Sequence, residues 1–138
     1  MNLSVSPIQL SIGNESMVLE LGAAVSSGGA SFSFISITTD TTITSTTNGA
    51  RYNNTGATGD VAATLPAATF GLSYGFRVSA EENFGVTPAS GDTIVLDDLV
   101  IDDLQLLQCA QLGATLDLEC HSPGVWLVTN IRREWGLA

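Results

Sequence analysis

Lysine is absent from this chain of 138 residues, arginine occurs four times and histidine once. Against 14 acidic residues this leaves a formal charge of −10. Phosphate contacts need clustered lysine and arginine, so nucleic acid is not an expected partner. Charged residues amount to 13%, well below the roughly 25% of ordinary globular domains. A helical bundle dresses its outer faces in Lys, Glu and Arg, so that architecture is set aside as well. No apolar run approaches the ~18 residues of a membrane-spanning helix, and no membrane partner is expected. Cysteine appears twice, as Cys109 and Cys120, too few for a disulfide framework. They read as reduced, half-buried thiols in neighbouring strands. The opening stretch MNLSVSPIQLSIGNES has neither the basic start nor the continuous apolar run of a secretory signal. The expectation is a protein made in a cytoplasm and kept there or in a particle assembled there.

Catalytic signatures are equally scarce. There is no GxxxxGK[ST] phosphate loop and no GxSxG elbow. His121 follows Cys120 directly, and adjacent strand residues point to opposite faces, so the pair does not act on one substrate atom. Cys109, Cys120 and His121 also lack the spacing of a zinc site. The acidic pairs Asp97-Asp98 and Asp102-Asp103 are separated by Leu99, Val100 and Ile101. A calcium loop alternates Asp, Asn and Gly instead, so the pairs read as a solvated, self-repelling sheet edge. No enzyme, cofactor or metal is expected.

What the chain has is hydrophobic residues at 44%, 29 Ser and Thr, and 14 Gly. The periodicity is 2 almost throughout. From Thr69 to Ser79 the residues Phe70, Leu72, Tyr74, Phe76 and Val78 share one face. Thr69, Gly71, Ser73, Gly75, Arg77 and Ser79 share the other, where the glycines leave room for a close approach. Phe32 and Phe34 are out of phase with Ile35 and Ile37, which predicts a β-bulge near Phe34–Ile35. Val125 to Ile131 is apolar on both faces and reads as a central strand covered on both sides. The Thr-rich run Thr38 to Thr47 reads as an exposed or edge strand. Leu96, Val100, Leu104 and Leu107 lie at near-helical spacing, so a short helix is the alternative to strand within Asp97 to Leu112. Turn signals such as Asn48-Gly49, Gly91-Asp92 and Pro123-Gly124 separate candidate strands every 8 to 12 residues or so. No internal repeat is evident, which argues against a solenoid or propeller. The expected fold is a single all-β domain over 1–138: an antiparallel, jelly-roll-like β-sandwich with at most one short helix. Short arms are expected at about 1–6 and 131–138.

The segments NTGATG (Asn54 to Gly59), LPAAT (Leu65 to Thr69), GLSYGFRV (Gly71 to Val78), PASGDTI (Pro88 to Ile94) and GVWLV (Gly124 to Val128), with Trp135 beyond, occur in this order. This pattern resembles a β-rich module of tailed bacteriophages and prophages, found in small virion proteins and fibre-like products. The resemblance covers about the C-terminal 60% of the chain. It implies a capsid decoration (cement) protein on the outer capsid surface of the virion, with the major capsid protein as partner and assembly as a homo-oligomer, a dimer or trimer, in the bacterial host cytoplasm. The alternative it leaves open is a tail-fibre or receptor-binding module that recognises a cell-surface glycan. Locally, the motif residues read as turn scaffold rather than as a ligand site.

The partner interface is expected at the chain ends: Met1, Asn2 and Leu3 at one, Arg132, Arg133, Trp135 and Leu137 at the other. The tail holds half of all the cations plus a tryptophan, and Arg and Trp are enriched where one side chain fills a partner's pocket. Deleting everything after Asn130 is then expected to leave a folded protein unable to decorate. The competing reading has Trp135 capping its own sandwich.

Overall fold

The computed structural model describes residues 33–138. The chain divides into two units, Met1–Ser31 and Phe32–Ala138, and the described residues lie in the second. They form twelve strands: β1 Phe34–Ser36, β2 Thr41–Thr42, β3 Arg51–Asn53, β4 Val61–Thr64, β5 Ser73–Arg77, β6 Phe84–Thr87, β7 Thr93–Leu96, β8 Leu99–Ile101, β9 Leu107–Cys109, β10 Thr115–Ser122, β11 Val125–Arg132 and β12 Gly136–Leu137. The one helical element among them is a 3-10 turn, Ser45–Thr47. The strands form a seven-stranded sheet in the order β1-β3-β5-β10-β11-β7-β8 and a five-stranded sheet in the order β12-β9-β6-β4-β2. The described residues form an all-β sandwich.

Strand direction departs from the antiparallel jelly-roll-like expectation. The pairs β1·β3, β3·β5, β2·β4, β4·β6 and β7·β11 are all parallel. The cause is the path of the chain: from β1 to β6 successive strands alternate between the two sheets instead of turning back on themselves. Phe34 stacks on Arg51 and Arg51 on Gly75, while Thr41 stacks on Ala63 and Ala63 on Val86. Residues 34–87 therefore make three coils offset by roughly twenty residues, a short solenoid that the lack of sequence repetition had argued against. The remaining strands add mostly antiparallel pairings, with β10 bridging β5 and β11, and β9 bridging β6 and β12.

Period-2 alternation explains which faces meet. Tyr52, Tyr74, Phe76, Leu116, Leu118 and Trp126 of the larger sheet are buried against Val61, Ala63, Phe84, Val86 and Leu107 of the smaller one. The Phe76 ring packs edge-on against Phe84 at 5.8 Å across the two sheets and stacks on Tyr52 at 5.8 Å within its own. Tyr74 tilts against Trp126 at 5.7 Å. Each such side chain taken from water contributes about 1.5–3 kcal/mol. The phenol groups reach out of this layer to the 3-10 turn: Tyr74 Oη donates to the Thr44 carbonyl at 3.1 Å, and Tyr52 Oη shares a 2.7 Å bond with Thr47 Oγ1.

Several local expectations shift. Phe70 is 74% exposed rather than in the core, because the chain turns at Gly71 (φ +95°) and β5 begins at Ser73. β1 pairs with β3 without a register break, so the bulge near Phe34–Ile35 is not formed; register shifts fall in β10·β11, at Asp117/Leu118 and Cys120/Ser122. β11 is central in its sheet, but only Trp126 is buried; Val128 is half-buried against the core beside it, while Val125 and Leu127 are half-buried on a face no third layer of described residues covers. Thr38 to Thr47 supplies the two-residue edge strand β2 and the 3-10 turn. Asp97 to Leu112 contains β8 and β9 rather than a helix. The hairpin between β7 and β8 turns at Asp97, whose φ of +54° lies in the left-handed region that Asp tolerates better than most residues.

The cysteines are free and fully buried, Cys109 in the smaller sheet and Cys120 in the larger, not half-buried in neighbouring strands. The C-terminal segment is not an arm. β11 runs to Arg132, β12 pairs with β9, and Trp135 is only 8% exposed within the core, its Nε1 donating to the Arg132 carbonyl at 3.2 Å. The apolar indole found its partner in its own sandwich, as the competing reading held.

Candidate functional site

The residues of the turn-motif pattern hold loops to one another. Asn54 is completely buried; its Oδ1 accepts from the backbone N–H groups of Ser79 (2.7 Å) and Ala80 (3.0 Å). Asp92 Oδ2 accepts from Ala68 N at 2.7 Å, and Gly124 N donates to Ala68 O at 3.0 Å. Thr93 N in turn donates to Gly124 O at 3.0 Å. The LPAAT, PASGDTI and GVWLV segments are thus tied together at one point, and their polar atoms are used internally.

The outer face of the seven-stranded sheet is different. Register and pleat place Phe34, Arg51, Gly75, Asp117 and Asn130 in one row across β1, β3, β5, β10 and β11. The next row on the same face is Ser36, Asn53, Arg77, Thr115 and Arg132. Three of the four arginines therefore line one face of an acidic protein. Gly75 is what makes the first row possible. A Cβ there would collide with the Arg51 and Asp117 side chains, which meet across it with Arg51 Nη1 donating to Asp117 Oδ1 at 2.7 Å. Asp117 Oδ2 also accepts from Asn130 Nδ2 at 3.2 Å.

The two rows enclose a groove of about 350 Å³, at the small end of the roughly 300–1,000 Å³ typical of small-molecule sites. Among the described residues the ion pairs are Arg51–Asp117 and an exposed His121–Glu119 contact at 2.8 Å. Arg77 and Arg132 are exposed and enter neither, so they leave two uncompensated positive charges on this face. Between them the Thr115 Oγ1 is buried with no hydrogen-bond partner. Phe34 closes the β1 end with its ring 76% exposed. A wider depression of about 410 Å³ lies among Phe70, Leu72, Cys120 and His121, but its polar content is one thiol, Glu119, Ser73 and the exposed imidazole.

The far edge of the same sheet is β8, which pairs only with β7 among the described strands. Val100 is 57% exposed and Leu104, in the loop after it, 91% exposed. The acidic pairs flank them: Asp97, Asp98 and Asp102 are exposed, and Asp103 Oδ2 accepts from Gly91 N at 2.8 Å. No group of three or more His, Cys, Asp or Glu side chains close enough to hold a metal occurs among the described residues.

Of the expected interface residues, Arg132 lies in the groove, and Arg133 is exposed beside it with a left-handed φ of +70°. Leu137 is half-exposed on β12 at the edge of the other sheet, and Trp135 is in the core. Met1, Asn2 and Leu3 lie outside the described residues. Sequence reasoning missed Arg51, Arg77, Asn53, Thr115 and Phe34 as a set. The legible signal was Arg77 on the outward phase of the Leu72–Val78 strand; its neighbours come from other strands.

The fold and this groove define the class: a β-sandwich carrying a polar, arginine-lined surface site. Compared with known proteins, the chain matches no family model and no curated sequence.

Proposed function

We propose that the protein decorates the outer capsid shell of a tailed phage or prophage, bound to the major capsid protein as a non-enzymatic structural module. The observation that supports this best is the β8 edge. Beyond β7 it pairs with no described strand, and it carries the exposed apolar side chains Val100 and Leu104 beside four aspartates. An unpaired strand edge accepts an added strand from another chain, with main-chain bonds giving affinity and side chains giving choice. The aspartates repel a second copy of the same edge, so they direct the strand towards a partner of different charge. The pattern of turn motifs described above points to the same class of virion module.

The test is co-sedimentation with capsids of the encoding phage assembled without this protein. The wild type should saturate them, and Val100→Glu with Leu104→Glu should bind at least tenfold more weakly while melting normally. Capsids that ignore the wild type would refute the reading, as would full binding by the double variant. A second reading, a tail-fibre or receptor-binding module for a cell-surface glycan, is favoured by one feature: an exposed aromatic ring, Phe34, at the mouth of a polar groove.

A further inference from the structure

The groove has a more particular chemistry than either reading requires. We propose that it binds an anionic oligosaccharide, gripping a uronic-acid carboxylate between Arg77 and Arg132 over the Thr115 hydroxyl while a neighbouring sugar ring lies on Phe34. This rests on the glycan-recognition reading and holds for a capsid or a tail location alike.

Arg77 and Arg132 each face Thr115 in register on adjacent strands, so their backbones stand about 10 Å apart. Two long side chains close that span by converging on one small anion, and the planar guanidinium fork matches a carboxylate. Thr115 lines the floor between them, and its hydroxyl is buried without a hydrogen-bond partner among the described residues. The neighbouring amides are half-used. Asn53 Oδ1 accepts from Ser36 Oγ and Thr55 N, and Asn130 Nδ2 donates to Asp117. That leaves the Asn53 N–H groups and the Asn130 carbonyl for sugar hydroxyls.

A peptide fits this face less well. The site lies on the face of a sheet whose main-chain groups are spent in the strand ladders, so an extended peptide would find no partners for its own N–H and C=O groups. A sugar asks only for side-chain donors and acceptors plus an apolar platform for its C–H face, and Phe34 provides the platform. Nucleic acid fares worst, because two uncompensated cations on a chain of net charge −10 cannot neutralise a phosphate at every step. Phe34 on β1 lies three strands from Thr115 on β10, about 14 Å away. One ring does not reach both, so the ligand is an oligosaccharide.

The experiment is calorimetric titration of the full chain at low salt with a hexasaccharide alternating glucuronic acid and N-acetylglucosamine, its carboxyl-reduced counterpart, and a glutamate hexapeptide. The acidic sugar should bind, and the reduced sugar should bind roughly tenfold or more weakly. Arg77→Ala with Arg132→Ala should abolish binding, and Phe34→Ala should weaken it several-fold, all three side chains being exposed and the melting temperature unchanged. If the reduced sugar binds as well as the acidic one, the carboxylate inference falls while glycan recognition stands. If neither sugar binds, both fall. Binding of the glutamate peptide alone would make this an acidic-peptide site and overturn the proposal.

Discussion

Asn54 is the single fully buried polar side chain among the described residues, and it serves three backbone groups: Ser79 N, Ala80 N and, through Nδ2 at 3.4 Å, the Glu82 carbonyl. Removing the amide leaves the N–H groups of half-buried Ser79 and Ala80 without their acceptor. Asn54→Ala should therefore cost about 2–4 kcal/mol in urea denaturation, more than a surface Asn→Ala such as Asn48→Ala. Titrating groups carry a second residue-scale effect. Burial pushes the Tyr74 phenol and the Cys120 thiol above their ordinary values of 10.0 and 9.0. For Cys120 the Asp92 charge adds to the shift, and backbone hydrogen bonding at Ser122 and Val125 works against it. Both groups are protonated in the fold, so the native state holds its protons more tightly than the unfolded chain. The stability this contributes is whole below pH 9 and is lost as pH rises through the raised values. Urea midpoints should stay level from pH 7 to 9 and decline above that. Cys120→Ser with Tyr74→Phe should flatten the decline; an unchanged slope would count against this origin.

At the scale of elements, the smaller sheet is closed at one end by the last residues of the chain. β12 bonds to β9, and Trp135 just before it is buried in the core. Ending the chain at Glu134 removes that indole and exposes Leu107 and Cys109, at a cost of about 3–5 kcal/mol by the measure of large-to-small aromatic substitutions. A drop in melting temperature, with Cys109 newly reactive toward an alkylating reagent in the native buffer, is the expected result. This reverses the expectation that the tail is dispensable for folding. Its two arginines and adjacent tryptophan carried no sign of the short strand that follows. The Leu72–Val78 strand, by contrast, was legible because its alternation runs long enough to fix the phase. Phe70 was misjudged by extending that phase through Gly71, where the backbone turns and alternation ends.

Over the whole molecule, the two-layer all-β class was legible from period 2 and frequent turns, but strand direction was not. Alternation reports which face a residue takes and says nothing of where the neighbouring strand comes from. Short spacings suggest hairpins, whereas here Thr38 to Ala50 and Asn54 to Leu72 carry the chain to the opposite sheet and back. The groove was hidden for the same reason. Arg51, Arg77 and Arg132 are far apart in sequence and come into line only through the β3·β5·β10·β11 registers.

The three-coil path also sets an order of events during synthesis. Each of β3 to β6 pairs with a strand already made, so the coils are free to stack in turn as the chain leaves the ribosome. The partners that cover β5 and β6 are β10 and β9, and they emerge only within the last third of the chain. A ribosome that stalls before Leu107 releases a stack with both of these strands uncapped side by side, a template for the same strands of another stalled chain. Closure of both sheets thus waits for β9 and β10, and a chain released before them carries two unpaired strand edges.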